Sequence, residues 1–297
     1  MHRCPEVIYA FILKNRDKFE IAILCEVLGV SRSGFYDWLR RDHEKKAQTA
    51  KTLQDAILRI FRESRSTYDS PRVWRQMLAE SFVVAKATIE RLMREMGLKA
   101  KSKRKFKIKT TDSSHRYPVA DNLLNRQFNQ HAANKVLVAD VTFIPTKQGW
   151  LYLAAVMDLC TRKIVGWAMH DHNDRYLTMS ALRMALNRQK IEPSCIFHSD
   201  RGSNYACYDF QSMLSANNLV ASMSKAGDCF DNAVIESFFH SLKTEFVHHC
   251  NFETRSQAKS AIFEWVEVFY NRKRIHSKLN YKTPIDFEAS LIYSKVS

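Results

Sequence analysis

The sequence has few of the features that mark secreted, membrane-spanning or zinc-binding proteins. Its seven cysteines are scattered, odd in number and contain no C-x-x-C pair, which argues against a disulfide framework and a cysteine zinc site. No uninterrupted apolar run is long enough to cross a bilayer. Lys14, Arg16, Asp17 and Lys18 interrupt the apolar stretch near the N-terminus, so no signal-peptide pattern is present. Together these absences predict a soluble intracellular protein.

Acidic residues are scarce relative to basic ones. The 297 residues include 46 lysines and arginines but only 31 aspartates and glutamates, which gives a formal net charge of +15. The hydrophobic fraction of 45% is ordinary for a globular protein. A net charge of this size favours a polyanionic partner, either nucleic acid or an anionic membrane. The length is typical of about two domains.

The first third of the chain is predicted to be helical. Apolar residues recur at helical spacing over residues 19–28, Gly29-Val30 reads as a turn, and Ser31 is a good N-cap for a second helix. A helix, a glycine-containing turn and a basic helix predict a helix-turn-helix. Arg32 and Ser33 would begin its recognition helix, where side chains meet DNA base edges. A plain helical hairpin is the alternative interpretation.

A similar pair of helices follows. Residues 71–78 and 86–96 have helical spacing, and Gly97 ends the second helix as a C-cap. We interpret this pair as a second helix-turn-helix-like unit. The predicted ranges are 1–48 for the first unit and 49–98 for the second.

A basic run comes next. Residues 99–109 hold seven cations and no acid in eleven positions. Such a block is usually a flexible, solvated tail, but after a DNA-binding region it is predicted to follow DNA phosphates. The residues predicted to contact DNA here are Lys101, Lys103, Arg104, Lys105 and Lys107. We assign residues 99–130 as a basic linker.

The remainder, residues 131–297, alternates strand and helix. The predicted strands are 136–145, 150–159, 163–170, 194–199 and 219–224, and the predicted helices are 175–189, 205–217, 233–246 and 257–270. The order βββαβαβαα is that of an α/β ribonuclease H-like core with a mixed five-stranded sheet. The predicted fold is therefore such a catalytic core, preceded by an all-α helix-turn-helix DNA-binding region.

Three acidic residues lie in distinctive local motifs and are called the triad: Asp140, Asp200 and Glu236. Thirty-five residues separate the second from the third. Asp140 lies inside an apolar run, and a buried carboxylate needs a cation or hydrogen-bond donors. In the predicted topology all three converge. Hard oxygen ligands suit Mg²⁺ or Mn²⁺, and two such ions about 4 Å apart can clamp a reacting phosphodiester.

These motifs resemble those of DDE transposases of the retroviral-integrase superfamily. The resemblance is strongest to the second-frame product of the two-frame insertion-sequence family, insertion-sequence family three. It runs over nearly the whole chain and is most specific at residues 198–205, 227–239 and 270–284. It implies an enzyme that binds element ends and catalyses metal-dependent DNA cleavage and strand transfer, with the triad as catalytic residues and metal ligands.

The resemblance also implies roles near the triad. Lys243, two helical turns after Glu236, matches the basic residue that is expected to hold the DNA end, and an exposed surface lysine is the alternative. Arg201 would lie at the mouth of the site. Asp231 is predicted to be the N-cap of the helix that carries Glu236. Leu137 stands where relatives usually have Trp.

The basic and aromatic stretch at residues 270–278 has two interpretations, contact with the DNA backbone or a packed motif with solvated lysines. Two other functions also compete with the transposase. One is a ribonuclease H-like nuclease or resolvase without strand transfer, and the other is a DNA-binding regulator with a decayed core.

The expected partner is double-stranded DNA, both the terminal repeats of the element and the target. We expect a homo-oligomer on DNA in the bacterial cytoplasm, associated with the nucleoid. Related second-frame products often act within a frameshift fusion, and this chain lacks an obvious heptad zipper. The first-frame product is therefore a candidate partner.

Overall fold

The computed structural model describes residues 5–40, 43–101, 116–225 and 229–293. The chain divides into two compact units, Met1–Ile60 and Phe61–Ser297. The first unit is helical, and the second combines helices with a five-stranded sheet. Within the described residues, no helix combines the length and apolarity that a membrane span requires.

The first unit contains the two helices and the turn for which a helix-turn-helix was predicted. Its helices are α1 (Pro5–Asn15), α2 (Ile21–Val27), α3 (Arg32–Arg40) and the beginning of α4 (His43–Glu63). Gly29 takes a φ of 67° in the turn between α2 and α3, a conformation that glycine adopts without strain. The Ser31 hydroxyl accepts a hydrogen bond from the Gly34 amide at 3.1 Å, which confirms the predicted N-cap. Ile12, Cys25 and Phe35 form the buried centre of this unit.

The second unit begins with the second helical pair, α5 (Ser70–Ala79) and α6 (Lys86–Glu95). Both predicted helices are confirmed, and Gly97 follows α6 with a φ of 67°. The pair packs with the sheet in one compact unit. Tyr68 provides one link, because its hydroxyl donates to the Lys273 carbonyl at 3.0 Å and accepts from the Ile275 amide at 2.8 Å.

A five-stranded mixed sheet forms the centre of the second unit. Its strands are β1 (Val136–Thr146), β2 (Gly149–Asp158), β3 (Ile164–His170), β4 (Ile196–Ser199) and β5 (Val220–Met223). They lie in the order β3-β2-β1-β4-β5. The strands β1, β2 and β3 are antiparallel, and β4 runs parallel to both β1 and β5. This order confirms the predicted ribonuclease H-like fold.

Helices cover both faces of the sheet. The helices are α7 (Arg175–Arg188), α8 (Ser203–Ala206), α9 (Tyr208–Ala216), α10 (Ala233–Glu245), α11 (Arg255–Glu264) and α12 (Pro284–Tyr293). Because successive side chains of a strand point to opposite faces, Val136 and Val138 pack with α10 and α11, whereas Leu137 and Ala139 pack with α7 and α9. Each fully buried aliphatic side chain of this kind contributes roughly 1.5–3 kcal/mol.

Three details differ from the sequence prediction. The single helix expected at residues 205–217 is two helices, since Cys207 is extended with φ −64° and ψ 151° between them. The helix expected at 257–270 begins at Arg255, behind an N-cap at Thr254, and continues beyond α11 as a π-helical turn, Trp265–Tyr270. The helix α12 was not predicted. Its Asp286 carboxylate and Thr283 hydroxyl bond to each other at its first turn, at 2.6 Å.

Candidate active site

Two members of the triad lie level with each other, Asp140 within β1 and Asp200 directly after the neighbouring strand β4. Val138 of β1 pairs in parallel with His198 of β4. Asp140 and Asp200 each follow two residues further along the same direction, so both carboxylates reach the same edge of the sheet. The register of β1 against β4 therefore brings together two acids that are far apart in sequence.

Backbone amides orient both aspartates. The Val141 amide donates to Asp140 Oδ1 at 2.7 Å, and the Gly202 amide donates to Asp200 Oδ1 at 3.0 Å. A Cβ atom at residue 202 would stand 3.0 Å from the same Asp200 oxygen, which is tighter than ordinary contact. Glycine after Asp200-Arg201 therefore allows the backbone to close around the carboxylate.

The third acid, Glu236, lies in the first turn of α10 and is exposed. The start of this helix is fixed against β1 by Asn232, whose side-chain amide donates to the Ala139 carbonyl at 3.3 Å. Ala139 directly precedes Asp140. The Asn232 bond thus fixes the beginning of the Glu236 helix beside the strand that carries Asp140.

The carboxyl groups of the triad affect one another electrostatically. Burial raises the pKa of Asp140 well above its usual range, and the negative charges of Asp200 and Glu236 raise it further. The residue Glu236 is exposed, but partial desolvation of its carboxyl group and the charge of Asp200 also raise its pKa.

The donor set suits a hard divalent cation, because all three side chains supply carboxylate oxygens. Within the described part of the chain, no three His, Cys, Asp or Glu side chains already form a group that could hold a metal ion. Glu236 is exposed, and an exposed side chain can change rotamer at small cost. The residues thus fit the cation in chemistry, and Glu236 is the one that is free to adjust.

Comparisons with known proteins agree with this geometry. A family model described as an integrase core domain matches residues 130–229, a second integrase core domain model matches 236–291, and an HTH-like domain model matches 48–106. The chain is 42% identical over 264 residues to the "Insertion element IS600 uncharacterized 31 kDa protein" of Shigella sonnei, covering 89% of this chain and 97% of that protein. It is 38% identical over 282 residues to "Transposase InsF for insertion sequence IS3A" of Escherichia coli strain K12, covering 94% and 98%.

The chain belongs to the IS3 family of insertion-sequence transposases. This confirms the resemblance inferred from the motifs, and with it the function as a transposase, a polynucleotidyl transferase. The helix-turn-helix and integrase domains imply DNA binding. A solved chain of the simian T-cell lymphotropic virus intasome matches with a TM-score of 0.46 at 13% identity, over 69% of this chain and 66% of that one.

Lys243 of the transposase lies beside the triad. It is partly buried, and its Nζ is 4.5 Å from the centre of the Phe143 ring on β1. Burial lowers the pKa of Lys243, while the negative charge of Asp140 opposes that decrease. The same ammonium group lowers the pKa of Asp140. The lysine therefore faces the site and is not an exposed surface residue.

The other residues predicted to contact DNA lie in different places. Arg32 and Ser33 are exposed at the start of α3. Arg201 Nε donates to the Ser224 carbonyl at 2.6 Å, which ties the loop after β4 to the end of β5. Lys101 packs partly buried against the end of α10, with Nζ 3.5 Å from the Glu245 carbonyl oxygen. The remaining cations of the basic run lie outside the described residues: Lys103, Arg104, Lys105 and Lys107.

The prediction that Asp231 is the N-cap of α10 was wrong. Asn232 occupies that position, and its side chain makes no cap hydrogen bond. The buried Asp231 carboxylate instead accepts from Asn122 Nδ2 at 2.8 Å, the Lys225 amide at 3.0 Å and Arg126 Nε at 3.2 Å. Burial would raise the pKa of Asp231, but the hydrogen bonds from the Lys225 amide and Arg126, with the charges of Arg126 and His198, lower it overall. The carboxylate thus joins three segments around the start of α10.

Two further residues near the site, His198 and Tyr205, were not predicted individually from the sequence. His198 is buried between β4 and β5, with Nδ1 2.9 Å from Ser222 Oγ, and burial lowers its pKa to about 4. Tyr205 is buried, its hydroxyl has no partner among the described residues, and burial raises its pKa well above the usual range. The charges of Asp140 and Asp200 raise that pKa further. Both residues belong to the specific motif at 198–205, which was the available signal.

The C-terminal stretch at residues 270–278 is largely a packed motif. The Asn271 side chain pairs with both backbone groups of Ile164 on β3, at 3.0 Å each. Arg274 is buried and forms two bonds to the Glu245 carboxylate. Arg272 and Lys273 are exposed. Of the two interpretations, the packed motif therefore applies to Asn271 and Arg274, whose polar side chains point inward.

Proposed function

We propose that Asp140, Asp200 and Glu236 are the catalytic residues of this transposase and hold two Mg²⁺ or Mn²⁺ ions. The observation that carries the proposal is the level placement of Asp140 in β1 and Asp200 directly after β4, with Glu236 close enough to raise the pKa of Asp140. Such ions supply positive charge that stabilises the attacking and leaving oxygens of a phosphodiester.

The residues of the chain perform the remaining tasks. The two aspartates present oxygens that are oriented by the Val141 and Gly202 amides. Lys243, beside Asp140, provides a positive charge for a phosphate at the end of the element. Water attacks the phosphodiester in donor-end cleavage, and the freed 3′-hydroxyl attacks target DNA in strand transfer. No covalent bond between protein and DNA is required.

Recognition of the element ends is proposed to belong to the helix-turn-helix of α2 and α3. Arg32 and Ser33 are exposed at the beginning of α3, where a recognition helix meets base edges. Arg201 is proposed to contact DNA at the mouth of the site. For Lys101, Lys103, Arg104, Lys105 and Lys107, the support for phosphate contacts is the charge of the sequence run.

The proposed assembly is a homo-oligomer on double-stranded DNA, with terminal repeats and target as substrates. The first-frame product, joined by frameshifting, is a proposed partner. This DNA substrate implies action at the nucleoid, in the bacterial cytoplasm.

A strand-transfer assay tests the proposal. The full chain, Mg²⁺ and a pre-cut terminal duplex with a free 3′-hydroxyl are incubated with a plasmid target. We expect joined product from the wild type and none from Asp200→Asn. The matched control is Asp209→Asn, which changes an exposed aspartate paired with Arg175 and should retain joining. Cutting without joining by the wild type would instead support the nuclease alternative.

A further inference from the structure

A cleft of about 670 Å³ lies behind α10, within the second compact unit. It is bounded by the start of α5, the end of α10 and the C-terminal packed motif. It also extends along α10 as far as Ala233, but none of Asp140, Asp200, Glu236 and Lys243 lines it. The cleft is therefore separate from the triad. Its cationic residues, which define it as the arginine cleft, are Arg72, Lys101, Arg162, Arg274 and Lys278.

The two acids in the arginine cleft already have cationic partners. Glu245 receives bonds from Arg274 Nε at 2.8 Å and Nη2 at 2.6 Å. Asp69 accepts from the Arg72 amide as the N-cap of α5 and lies 3.9 Å from Arg72 Nη1. The lining thus has five cations against two acids, so its net charge is positive after these pairs form.

Buried guanidinium nitrogens in the cleft lack acceptors. Arg162 Nη2 donates to the Phe128 carbonyl at 3.1 Å, but Arg162 Nη1 and Arg72 Nε find no acceptor among the described residues. Burial lowers the pKa of Arg162, and the charge of Asp158 offsets that decrease only in part. Buried hydrogen-bond donors in folded proteins almost always have an acceptor. These two buried guanidinium nitrogens can therefore donate to an acceptor that a bound ligand would bring.

The pKa of His276 is affected by three arginines of the cleft. Burial lowers its pKa well below the usual range, and the charges of Arg274, Arg72 and Arg162 each lower it further. Arg274 Nη1 lies 3.2 Å from His276 Nε2, as donor to a neutral imidazole. Three guanidinium groups from three separate segments therefore line one cleft with this neutral ring, and Arg274 contacts it directly.

We propose that the arginine cleft is a binding site for a phosphate group. Guanidinium groups match phosphate because they offer planar, paired donors to its oxygens. The supply of donors from three directions suits a tetrahedral oxyanion better than a planar carboxylate. A volume of about 670 Å³ exceeds that of a single ion, so the phosphate can be part of a DNA backbone or of a free phosphorylated compound.

The first arm of the test measures binding of the full chain to a random-sequence duplex at several salt concentrations. Arg162→Gln removes a guanidinium that has no ion pair in the described structure, and Lys278→Gln removes an exposed charge at the rim without disturbing buried groups. Each should flatten the plot of log affinity against log salt by about 0.9, the value for one lost phosphate contact. Arg183→Gln, an exposed change on α7, is the control and should leave the slope unchanged.

The second arm measures the thermal unfolding midpoint in inorganic phosphate and in chloride at equal ionic strength. Flatter salt slopes for both cleft variants would support a DNA backbone phosphate. Unchanged slopes, with phosphate stabilising the wild type but not Lys278→Gln, would support a free phosphorylated ligand. Unchanged slopes without phosphate stabilisation would overturn the proposal. If Arg162→Gln does not fold, Lys278→Gln decides the result. Neither arm depends on strand transfer, so failure here is distinct from failure of the triad.

Discussion

Replacing Asp140 with Asn should stabilise the metal-free protein while abolishing strand transfer. The carboxylate is placed in the sheet, and its pKa is raised well above the usual range by burial and by the charges of Asp200 and Glu236. Asparagine is nearly the same size and keeps an oxygen that can accept from the Val141 amide, now 2.7 Å from Asp140 Oδ1. The substitution therefore removes the unfavourable charge and little else.

The expected gain is about 1–3 kcal/mol, the usual cost of a buried polar group without full compensation. For a folding unit of this size, each kcal/mol raises the unfolding midpoint by roughly 2–4 °C. Mg²⁺ should stabilise the wild type, because an ion that binds only the folded state adds to its stability. It should stabilise Asp140→Asn less, since one ligand is lost.

The pH dependence has a definite sign. A raised folded-state pKa means that the native protein binds more protons than the unfolded chain, between the ordinary aspartate pKa and the raised value of Asp140. The free energy of unfolding therefore falls as pH rises through that window. In Asp140→Asn this decrease should be smaller.

Urea unfolding in a chelator, near neutral pH and at lower pH, measures these differences. The control is Asp209→Asn, which changes an exposed aspartate and should shift stability by no more than about 0.5 kcal/mol. If Asp140→Asn were less stable than the wild type without metal, the carboxylate would not be destabilising, and the reasoning about the triad would fail.

Three further predictions concern stability, measured by urea unfolding. Asp231→Asn should destabilise by about 1–3 kcal/mol, because that buried carboxylate accepts three hydrogen bonds. The pKa of Asp231 is lowered in the folded protein. The stability that this carboxylate contributes is therefore present above the ordinary aspartate pKa and is lost as pH falls through the folded-state pKa. A loss of stability in Asp231→Asn that did not depend on pH would contradict this. Gly166→Ala should lower the free energy of unfolding by about 1–3 kcal/mol, because the added Cβ would lie 2.3 Å from the Ala181 carbonyl oxygen. An unchanged free energy of unfolding would show that β3 and α7 can move apart to admit the methyl group. Tyr205→Phe should be neutral or stabilising by about 1 kcal/mol, because the lost hydroxyl has no partner within the described residues; a clear loss would reveal one.

Much of the fold followed from local rules. The five strands were predicted because apolar and β-rich runs are bounded by turns, as at Lys147 and Gln148 between β1 and β2. The cap at Ser31 and the positive φ at Gly97 follow from the chemistry of these two residues. Such features depend on neighbours in sequence, so periodicity and residue type suffice to place them.

One of the details that failed depends on long-range contacts. Asp231 has the sequence context of an N-cap, but donors from residues 122, 126 and 225 claim its carboxylate. The second failure is local. Residues 205–217 have a helical pattern, but the extended backbone of Cys207 separates α8 from α9. In each case tertiary contacts or a local backbone change overrode a preference of less than about 2 kcal/mol.

The sequence by itself determined the family and the order of the five strands, and it singled out the three acids that we propose as catalytic, since motifs and periodicity are properties of the chain. Only the tertiary structure decided that Lys243 faces Asp140 and that Arg72, Arg162 and Arg274 converge on His276. Charges interact through space, and their pKa values depend on burial and distance. Neither quantity can be read from sequence spacing, because both are fixed by the packing of elements that are remote along the chain.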